Sequence, residues 1–119
     1  MTKIEAIVRE DCFEDIKQAL NEIEVNGITI SQVMGCGTQK GYVDYVRGTN
    51  VDINILPKIK FEIVVSSEEW ATKTIDVIQK YAYTGALGDG KIFVYDLKDA
   101  IRIRTGERGN QAIRLSEIK

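Results

Sequence analysis

Apolar and polar residues alternate along several stretches of the chain, and a period of two residues predicts half-buried β-strands. Near the start, Ile4, Ala6 and Val8 occupy alternate positions. A second apolar run covers residues 28–35, and the most regular alternation covers residues 59–66. These stretches predict three strands, each with one face suited to a core.

Two other stretches carry apolar residues every three or four positions, as on one face of an α-helix. In the first, Asp11 is predicted to cap the helix, with Glu14 in the capping-box position. In the second, Ser66 or Ser67 is the predicted cap. The predicted buried faces consist of Phe13, Ile16, Leu20 and Ile23 in the first helix and Trp70, Thr74, Val77, Ile78 and Tyr81 in the second.

A glycine-rich turn at 84–91 leads to a fourth predicted strand at 92–97, and residues 99–105 predict a short C-terminal strand. Arg102 and Arg104 would share one face of that last strand, because they are two residues apart. The order βαββαβ, followed by a short strand, is typical of a ferredoxin-like α+β domain. Two helices would cover one face of the sheet, and the other face favours packing in an oligomer.

A long insert, residues 35–58, separates the second and third predicted strands. Ordinary hairpin loops contain about two to five residues, so this connection is far longer than a hairpin needs. Long inserts in compact domains are usually functional loops. We therefore expect a ligand-sensing output arm here.

The composition is that of a single domain over residues 1–119. Hydrophobic residues make up 44% of the chain, enough for a core, although oligomerisation helps a chain of this size. The net charge of −2 gives no general attraction to nucleic acid or to an anionic membrane. The sequence shows neither a membrane-spanning stretch nor a signal peptide, so we expect a cytoplasmic protein that does not insert into membranes.

The absence of histidine excludes imidazole base catalysis and a Ser–His–Asp triad, and it argues against the usual zinc and copper sites. The two cysteines, Cys12 and Cys36, lack CxxC spacing, and Cys36 is interpreted as a small packed side chain. The carboxylates show no helix-spaced pairs of the kind that hydrolysis uses. These features predict a protein that is not an enzyme.

The segment GCGTQKG at 35–41 superficially resembles a dinucleotide fingerprint. The true fingerprint opens a helix, whereas Tyr42 and Val43 are poor helix formers. Two interpretations remain: a flexible turn, or closely spaced glycines whose backbone N–H groups face an anion.

The segment GALGDGK at 85–91 matches a P-loop by letter, but Ile92 stands where magnesium needs Ser or Thr. It is either a plain turn between helix and strand or a turn that binds phosphate through N–H groups and Lys91. Arg102 and Arg104 are likewise either a solvated pair or, with Lys91, a polyphosphate clamp.

Several segments together are more specific than any single motif. They are TGALGDGKIFVYDL at 84–97, IRIRTGE at 101–107, GxGxQKG at 35–41, Arg47-Gly48 and Leu56-Pro57-Lys58. Through these segments the whole chain resembles the PII nitrogen-regulatory signal-transduction protein family. The resemblance implies a homotrimer of ferredoxin-like subunits, with a flexible T-loop at 37–55 and a glycine-rich phosphate-binding loop at 83–91.

The resemblance also implies that ATP or ADP binds in each cleft between subunits. Thr29 and the backbone of Val64 would hold adenine. The implied nucleotide-binding residues are Ile7, Thr29, Gly35, Cys36, Gly37, Thr38, Gln39, Glu62, Val64, Gly88, Asp89, Gly90, Lys91, Arg102 and Arg104.

The implied effector is 2-oxoglutarate, bound together with Mg-ATP. Gln39 would complete the shell of Mg²⁺ beside phosphate oxygens, which suits an ion that prefers oxygen ligands. Lys58 would pair with a carboxylate of the effector. The implied effector-binding residues are Gly37, Gln39, Lys40, Gly41 and Lys58. ADP lacks the γ-phosphate and cannot build this site, so the ligand state would control the loop.

The implied output is regulation of an ammonium transporter or of a nitrogen-assimilation enzyme or regulator through the T-loop. The residues expected to contact the partner are Tyr45, Arg47, Gly48 and Thr49, with Arg47 entering a transporter pore. Recruitment to the membrane would occur through that transporter.

Two positions depart from the family pattern. Val51 stands where many members carry a uridylylated tyrosine, so we expect this modification to be absent. Thr38 replaces a common arginine, and a lost charge-assisted hydrogen bond costs about 1.5–3 kcal/mol. These departures support an alternative, a PII-like regulator with a different output, such as nitrogenase control or another adenine-nucleotide effector.

Overall fold

The computed structural model describes residues 1–25, 27–38 and 53–114 of the chain. Its elements are, in chain order, β1 (Thr2–Arg9), a 3₁₀ turn (Glu10–Cys12), α1 (Phe13–Glu22), β2 (Ile28–Thr38), β3 (Ile53–Val65), α2 (Glu68–Ala82), β4 (Gly90–Asp96) and the short α3 (Asn110–Ile113). Within these residues, no helix is both long enough and apolar enough to cross a membrane.

The four strands form one antiparallel sheet in the order β2-β3-β1-β4. The central strand β1 pairs with β3 from Thr2 opposite Val65 to Arg9 opposite Lys58, and it pairs with β4 along its other side. Each βαβ unit therefore encloses a strand of the other unit. This is the split βαβ arrangement, so the predicted ferredoxin-like α+β fold is confirmed.

One face of the sheet packs against α1 and α2 and forms the core. Because strand side chains alternate between faces, every second residue of β1 and β3 points to this side, and these residues are Ile4, Ala6 and Val8 of β1 and Ile59, Phe61, Ile63 and Val65 of β3. Phe61 is the largest fully buried side chain, and it belongs to one cluster with Ile16 and Leu20 of α1 and Ile78 of α2. Burying an apolar side chain of this kind contributes about 1.5–3 kcal/mol.

The opposite side of the sheet, called here the open face, is built from the alternate residues Lys3, Glu5, Ile7 and Arg9 of β1 and the residues that pair with them. Lys3 forms an ion pair with Glu62, and Lys60 forms one with Glu5, each at 3.1 Å. The Tyr95 hydroxyl donates a hydrogen bond to Glu5 at 2.7 Å. The Tyr95 hydrogen bond, together with Lys60, lowers the pKa of Glu5. Charges on the open face therefore partner one another within one chain.

The start of α1 differs from the predicted capping box. Cys12 precedes the helix because the 3₁₀ turn already includes Asp11, and Cys12 makes no side-chain cap. Asp11 instead accepts a contact from the Cys12 thiol at 3.6 Å. For α2 the prediction of Ser67 is confirmed, since its hydroxyl accepts the backbone N–H of Trp70 at 3.2 Å.

The buried face of α2 is the predicted one except in the last turn. Thr74 and Ile78 are fully buried, and Trp70 packs partly against the core. Tyr81 is 39% exposed, because Ala82 takes the inward position there. The prediction that Tyr81 is buried is therefore wrong for a single chain.

The connection between β2 and β3 is shorter than the predicted insert. The two strands remain paired past Gly35 and Pro57, as far as Thr38 opposite Ile53. Glycine does not interrupt the pairing, because the ladder is made by backbone groups. The predicted T-loop at 37–55 therefore overlaps both strand ends, and its centre lies outside the described residues.

The predicted strand at 99–105 is wrong, although all of its residues are described. Only Ile101 forms a β-bridge, to Arg108. The chain turns back between them, where the Arg102 N–H donates to Glu107 O at 2.8 Å and the Gly106 N–H to Arg102 O at 2.7 Å. Arg102 and Arg104 therefore do not share the face of a strand.

Gly90 begins β4 where this strand passes close to β1, and its φ is +107°. A Cβ at this position would lie 1.9 Å from the carbonyl oxygen of Ile7. We expect Gly90→Ala to lower the free energy of unfolding by more than about 3 kcal/mol, because the two strands would have to separate. Urea unfolding at a fixed protein concentration measures the loss.

Gly106→Ala is the matched control. Gly106 also has a positive φ, +77°, but a Cβ there would meet nothing within 4 Å. The Gly106→Ala variant should lose about 1–2 kcal/mol of unfolding free energy, which is the cost of the left-handed conformation alone. Equal losses in the two variants would show that the approach of β4 to β1 imposes no constraint.

Candidate functional site

The glycine-rich segment between α2 and β4, called here the glycine turn (residues 83–90), folds around the carboxylate of Asp89. The backbone N–H groups of Thr84 and Gly85 donate to Asp89 Oδ2 at 2.7 and 2.9 Å, and the Thr84 hydroxyl donates to Oδ1. Gly85 and Gly88 have φ values of +87° and +94°, which favour glycine. The three glycines therefore serve a turn with an acidic centre, and not a P-loop.

Two cations of the open face, Arg9 and Lys58, form hydrogen bonds to this turn. Arg9 Nε forms an ion pair with Asp89 Oδ1 at 3.1 Å, and Arg9 Nη2 donates to the carbonyl of Leu87 at 2.6 Å. Lys58 Nζ donates to the carbonyl of Gly88, also at 2.6 Å. Arg9 and Lys58 are register partners on β1 and β3, so the sheet itself places both side chains beneath the turn.

The carboxyl group of Asp89 stays ionised because its charged form accepts these hydrogen bonds. The hydrogen bonds from Thr84 are the largest cause, and they hold the pKa of Asp89 well below its usual value, with Arg9 and Gly85 acting in the same direction. The turn therefore contains a permanent negative charge that the Arg9 guanidinium balances.

Several predicted binding residues lie together at this end of the open face. Lys91 follows the turn, is exposed, and is opposite Ile7 in the sheet. Gly35 packs against Lys58, since a Cβ at Gly35 would lie 3.0 Å from Lys58 Cγ. We call this set the turn-end group, and it comprises Ile7, Gly35, Lys58, Gly88, Asp89, Gly90 and Lys91.

A second set lies toward the other end of the sheet. Thr29 is opposite Glu62, and Val64 lines a cavity of about 510 Å³ that Trp70 and Arg102 also line. Val64 and Arg102 line this cavity, and Glu62 lies two residues from Val64 on the same face of β3, opposite Thr29. We call Thr29, Glu62, Val64 and Arg102 the cavity group. It combines apolar walls with a guanidinium group, a lining that suits a planar ring linked to an anion.

Arg102 is held by the C-terminal segment. Its guanidinium forms an ion pair with Glu107 at 3.3 Å and donates to the carbonyls of Gln111 and Ala112 at 3.3 and 3.0 Å, as well as to that of Arg114. Arg104 lies in the loop between Arg102 and Glu107, where it is exposed. The two arginines therefore have different surroundings.

The two groups are well separated in one chain. Ile7 is opposite Lys60, and Val64 lies four residues further along β3, a span of about 13 Å. Lys91 neighbours Ile7, whereas Arg102 lines the cavity with Val64. The described part of one chain therefore does not bring Lys91 and Arg102 together.

The remaining predicted residues divide into two classes. Cys36 is exposed, so its interpretation as a packed side chain is wrong for a single chain, and for Gly37 and Thr38 only the strand backbone is described. The residues that lie outside the described ranges are Gln39, Lys40, Gly41, Tyr45, Arg47, Gly48, Thr49 and Val51. In the described ranges, no three Asp, Glu or Cys side chains cluster as metal ligands would.

Sequence reasoning missed Arg9 and Thr84 as parts of the site. The only local signal for Arg9 is its place in the alternation of β1, which puts it on the open face. Its partner Asp89 is 80 residues away, so no short-range pattern indicates the contact.

Comparison with known proteins identifies the family of this chain. The family model described as nitrogen regulatory protein P-II matches residues 1–107. The chain is 47% identical over 113 residues to nitrogen regulatory protein P-II of Rhodospirillum rubrum, covering 95% of this chain and 100% of that protein. It is 40% identical over 113 residues to nitrogen regulatory protein GlnK of Escherichia coli, with the same coverage.

Solved structures agree with the sequence comparisons. B. subtilis GlnK has a TM-score of 0.79 and 40% identity, covering 94% of this chain and 97% of that chain. The B. subtilis GlnK-ATP complex has a TM-score of 0.77 and 38% identity, covering 94% and 96%. From the match over residues 1–107 and these near-full-length similarities, we conclude that the chain belongs to the nitrogen regulatory protein P-II family, whose members are regulators and not enzymes.

Proposed function

We propose that the chain binds ATP and ADP in clefts between the subunits of a homotrimer. The observation that carries this proposal is the separation of the turn-end group from the cavity group on one chain. On one chain Lys91 and Arg102 do not lie together, so both cations would contact one nucleotide where the turn-end group of one subunit meets the cavity group of the next. A cyclic trimer supplies this pairing at each of its equivalent interfaces.

In this cleft the two groups have complementary roles. Thr29 and the backbone of Val64 hold adenine, with Glu62 nearby, and Val64 also lines the partly apolar cavity. The N–H groups of Gly88 and Gly90, the ammonium of Lys91 and the guanidinium groups of Arg102 and Arg104 surround the phosphates. The ATP complex of the similar B. subtilis GlnK supports a nucleotide as the ligand.

We further propose that Mg-ATP creates a site for 2-oxoglutarate. Phosphate oxygens and Gln39 supply an all-oxygen ligand set, which fits Mg²⁺, and the described residues offer no competing cluster of metal-binding side chains. Lys58 is the carboxylate partner on this chain. Its ammonium already reaches the turn at Gly88, so it lies beside the proposed phosphate position.

The proposed output is control of an ammonium transporter or a nitrogen-assimilation enzyme or regulator through residues 45–49 of the T-loop. Arg47 is the residue that we propose enters a transporter pore, and this contact would recruit the trimer from the cytoplasm to the membrane. The alternative is nitrogenase control or a response to another adenine nucleotide, and Thr38 and Val51 favour it because they depart from the family pattern.

Mixing two variants tests the shared cleft. Lys91→Ala and Arg104→Ala should each weaken ATP binding by roughly tenfold or more, because each removes a cation that faces phosphate. In mixed trimers only one interface keeps both side chains, so random mixing by unfolding and refolding should restore about one site in four. Calorimetry with ATP measures the number of tight sites.

Lys17→Ala is the control for the loss of a lysine, since Lys17 lies on α1, away from both groups, with its Nζ 3.4 Å from Glu14. It should bind ATP as the wild type does. If mixing restores no tight sites, both cations act within one subunit and the shared cleft is wrong.

Calorimetry with 2-oxoglutarate tests the effector. Heat should be observed with protein loaded with Mg-ATP and should be absent with Mg-ADP or after magnesium is removed with a chelator, because the γ-phosphate and the ion complete the site. Lys58→Met should abolish this heat, whereas Lys60→Met, two residues along the same face, should retain it. If wild-type protein loaded with Mg-ATP gives no binding heat at millimolar 2-oxoglutarate, the effector proposal is contradicted.

Affinity purification from the source cells tests the output. The wild-type chain should recover an ammonium transporter, and Arg47→Ala should lose it while binding ATP normally. Recovery of the transporter by the variant would show that Arg47 does not enter the pore. Recovery of a different target by the wild type would support the alternative output.

A further inference from the structure

Arg9 contacts the glycine turn at two places and lies outside every set of binding residues proposed above. Its Nε donates to Asp89 Oδ1 at 3.1 Å, and its Nη2 donates to the carbonyl oxygen of Leu87 at 2.6 Å. The guanidinium group therefore contacts the residues on both sides of Gly88. Lys58 binds the next carbonyl, that of Gly88, at 2.6 Å. Two consecutive carbonyl groups therefore point toward two cations of the sheet.

The orientation of these carbonyls determines where the neighbouring N–H groups point. In a planar trans peptide the N–H of one residue points opposite to the C=O of the residue before it. The N–H of Gly88 therefore points away from Arg9, and the N–H of Asp89 points away from Lys58. Both N–H groups are directed away from the sheet, where a phosphate could accept them.

We propose that Arg9 is a positioning residue for phosphate binding, which acts through Asp89 and Leu87 to orient the peptide groups of the glycine turn. The inference rests on the proposed nucleotide cleft and deepens it, because it names the side chain that prepares the turn. Arg9 itself does not touch the nucleotide in this arrangement.

Two physical effects give Arg9 this role. Gly85, Gly88 and Gly90 all have positive φ, and a turn so rich in glycine has many conformations to lose when a ligand orders it. Holding the turn in advance reduces that cost. Arg9 also balances the charge of Asp89, which would otherwise repel a polyphosphate.

The test compares Arg9→Met, Asp89→Asn and the double variant with the wild type. Calorimetry with ATP gives the affinities, and amide hydrogen exchange of the ligand-free proteins gives the order of residues 84–91. Arg9→Met should weaken ATP binding by roughly tenfold and speed exchange in the turn by a similar factor. Because Arg9 acts through Asp89, the loss in the double variant should be at least about fivefold smaller than the product of the two single losses.

Two further variants serve as controls. Arg9→Lys keeps the charge but has a single ammonium in place of the guanidinium fork, so its affinity should lie between those of the wild type and Arg9→Met. It also keeps the test usable if Arg9→Met does not fold. Lys17→Met removes a surface ion pair of α1, the contact of Lys17 with Glu14 at 3.4 Å, and should leave both ATP affinity and turn exchange unchanged.

The possible failures are distinguishable. Unchanged ATP affinity in Arg9→Met, or multiplicative losses with unchanged turn exchange, would overturn the positioning role, and the second result would indicate direct contact with the nucleotide. If the wild type does not bind ATP, the proposed cleft fails, whatever the exchange of the turn shows.

Discussion

The pairing register of the central strand β1 is the constraint on which the rest of the structure depends. It places Arg9 opposite Lys58 and Ile7 opposite Lys91, so the cations at the edge of the open face come from three different strands. A slip of β1 by one residue would send Ile7 and Arg9 to the core face. The same slip would move the buried side chains of Ile4, Ala6 and Val8 to the open face, and the free energy of their burial therefore protects the register. Core packing therefore determines the geometry of the charged surface.

The glycine turn shows how a flexible segment is ordered by an internal anion. Asp89 collects donors from Thr84 and Gly85 on the turn and from Arg9 on the sheet. Hydrogen bonds to a carboxylate are stronger than neutral ones, and they are directional. The N–H groups of Thr84 and Gly85, near the start of the turn, are therefore already bonded to the Asp89 carboxylate. The N–H groups near the end of the turn point the other way, and this division suits the proposed binding of a phosphate by a turn that is already ordered.

The open face also bears on the proposed trimer. Its ion pairs, Lys3 with Glu62 and Lys60 with Glu5, balance these four charges within the chain, so this part of the face can pack against another subunit without leaving them unpaired. Ile7 of the turn-end group and Val64 of the cavity group lie about 13 Å apart along it. In the proposed trimer each interface would join the two groups, and a nucleotide bound there would lie next to the strands that lead into the predicted T-loop.

Local sequence determined the elements of this protein, because the periods of two and of about 3.6 residues follow directly from which side chains a strand or helix buries. The alternation at 59–66 and the Ser67 cap were correct, as were the helical faces apart from Tyr81. Tertiary structure decided where pairing stops. β2 continues past Gly35 because β3 offers it a partner, whereas 99–105 alternates equally well and has none among the described residues beyond one bridge. Only the folded chain revealed Arg9 beneath Asp89, since a contact between residues 80 positions apart depends on strand register, which no local pattern encodes.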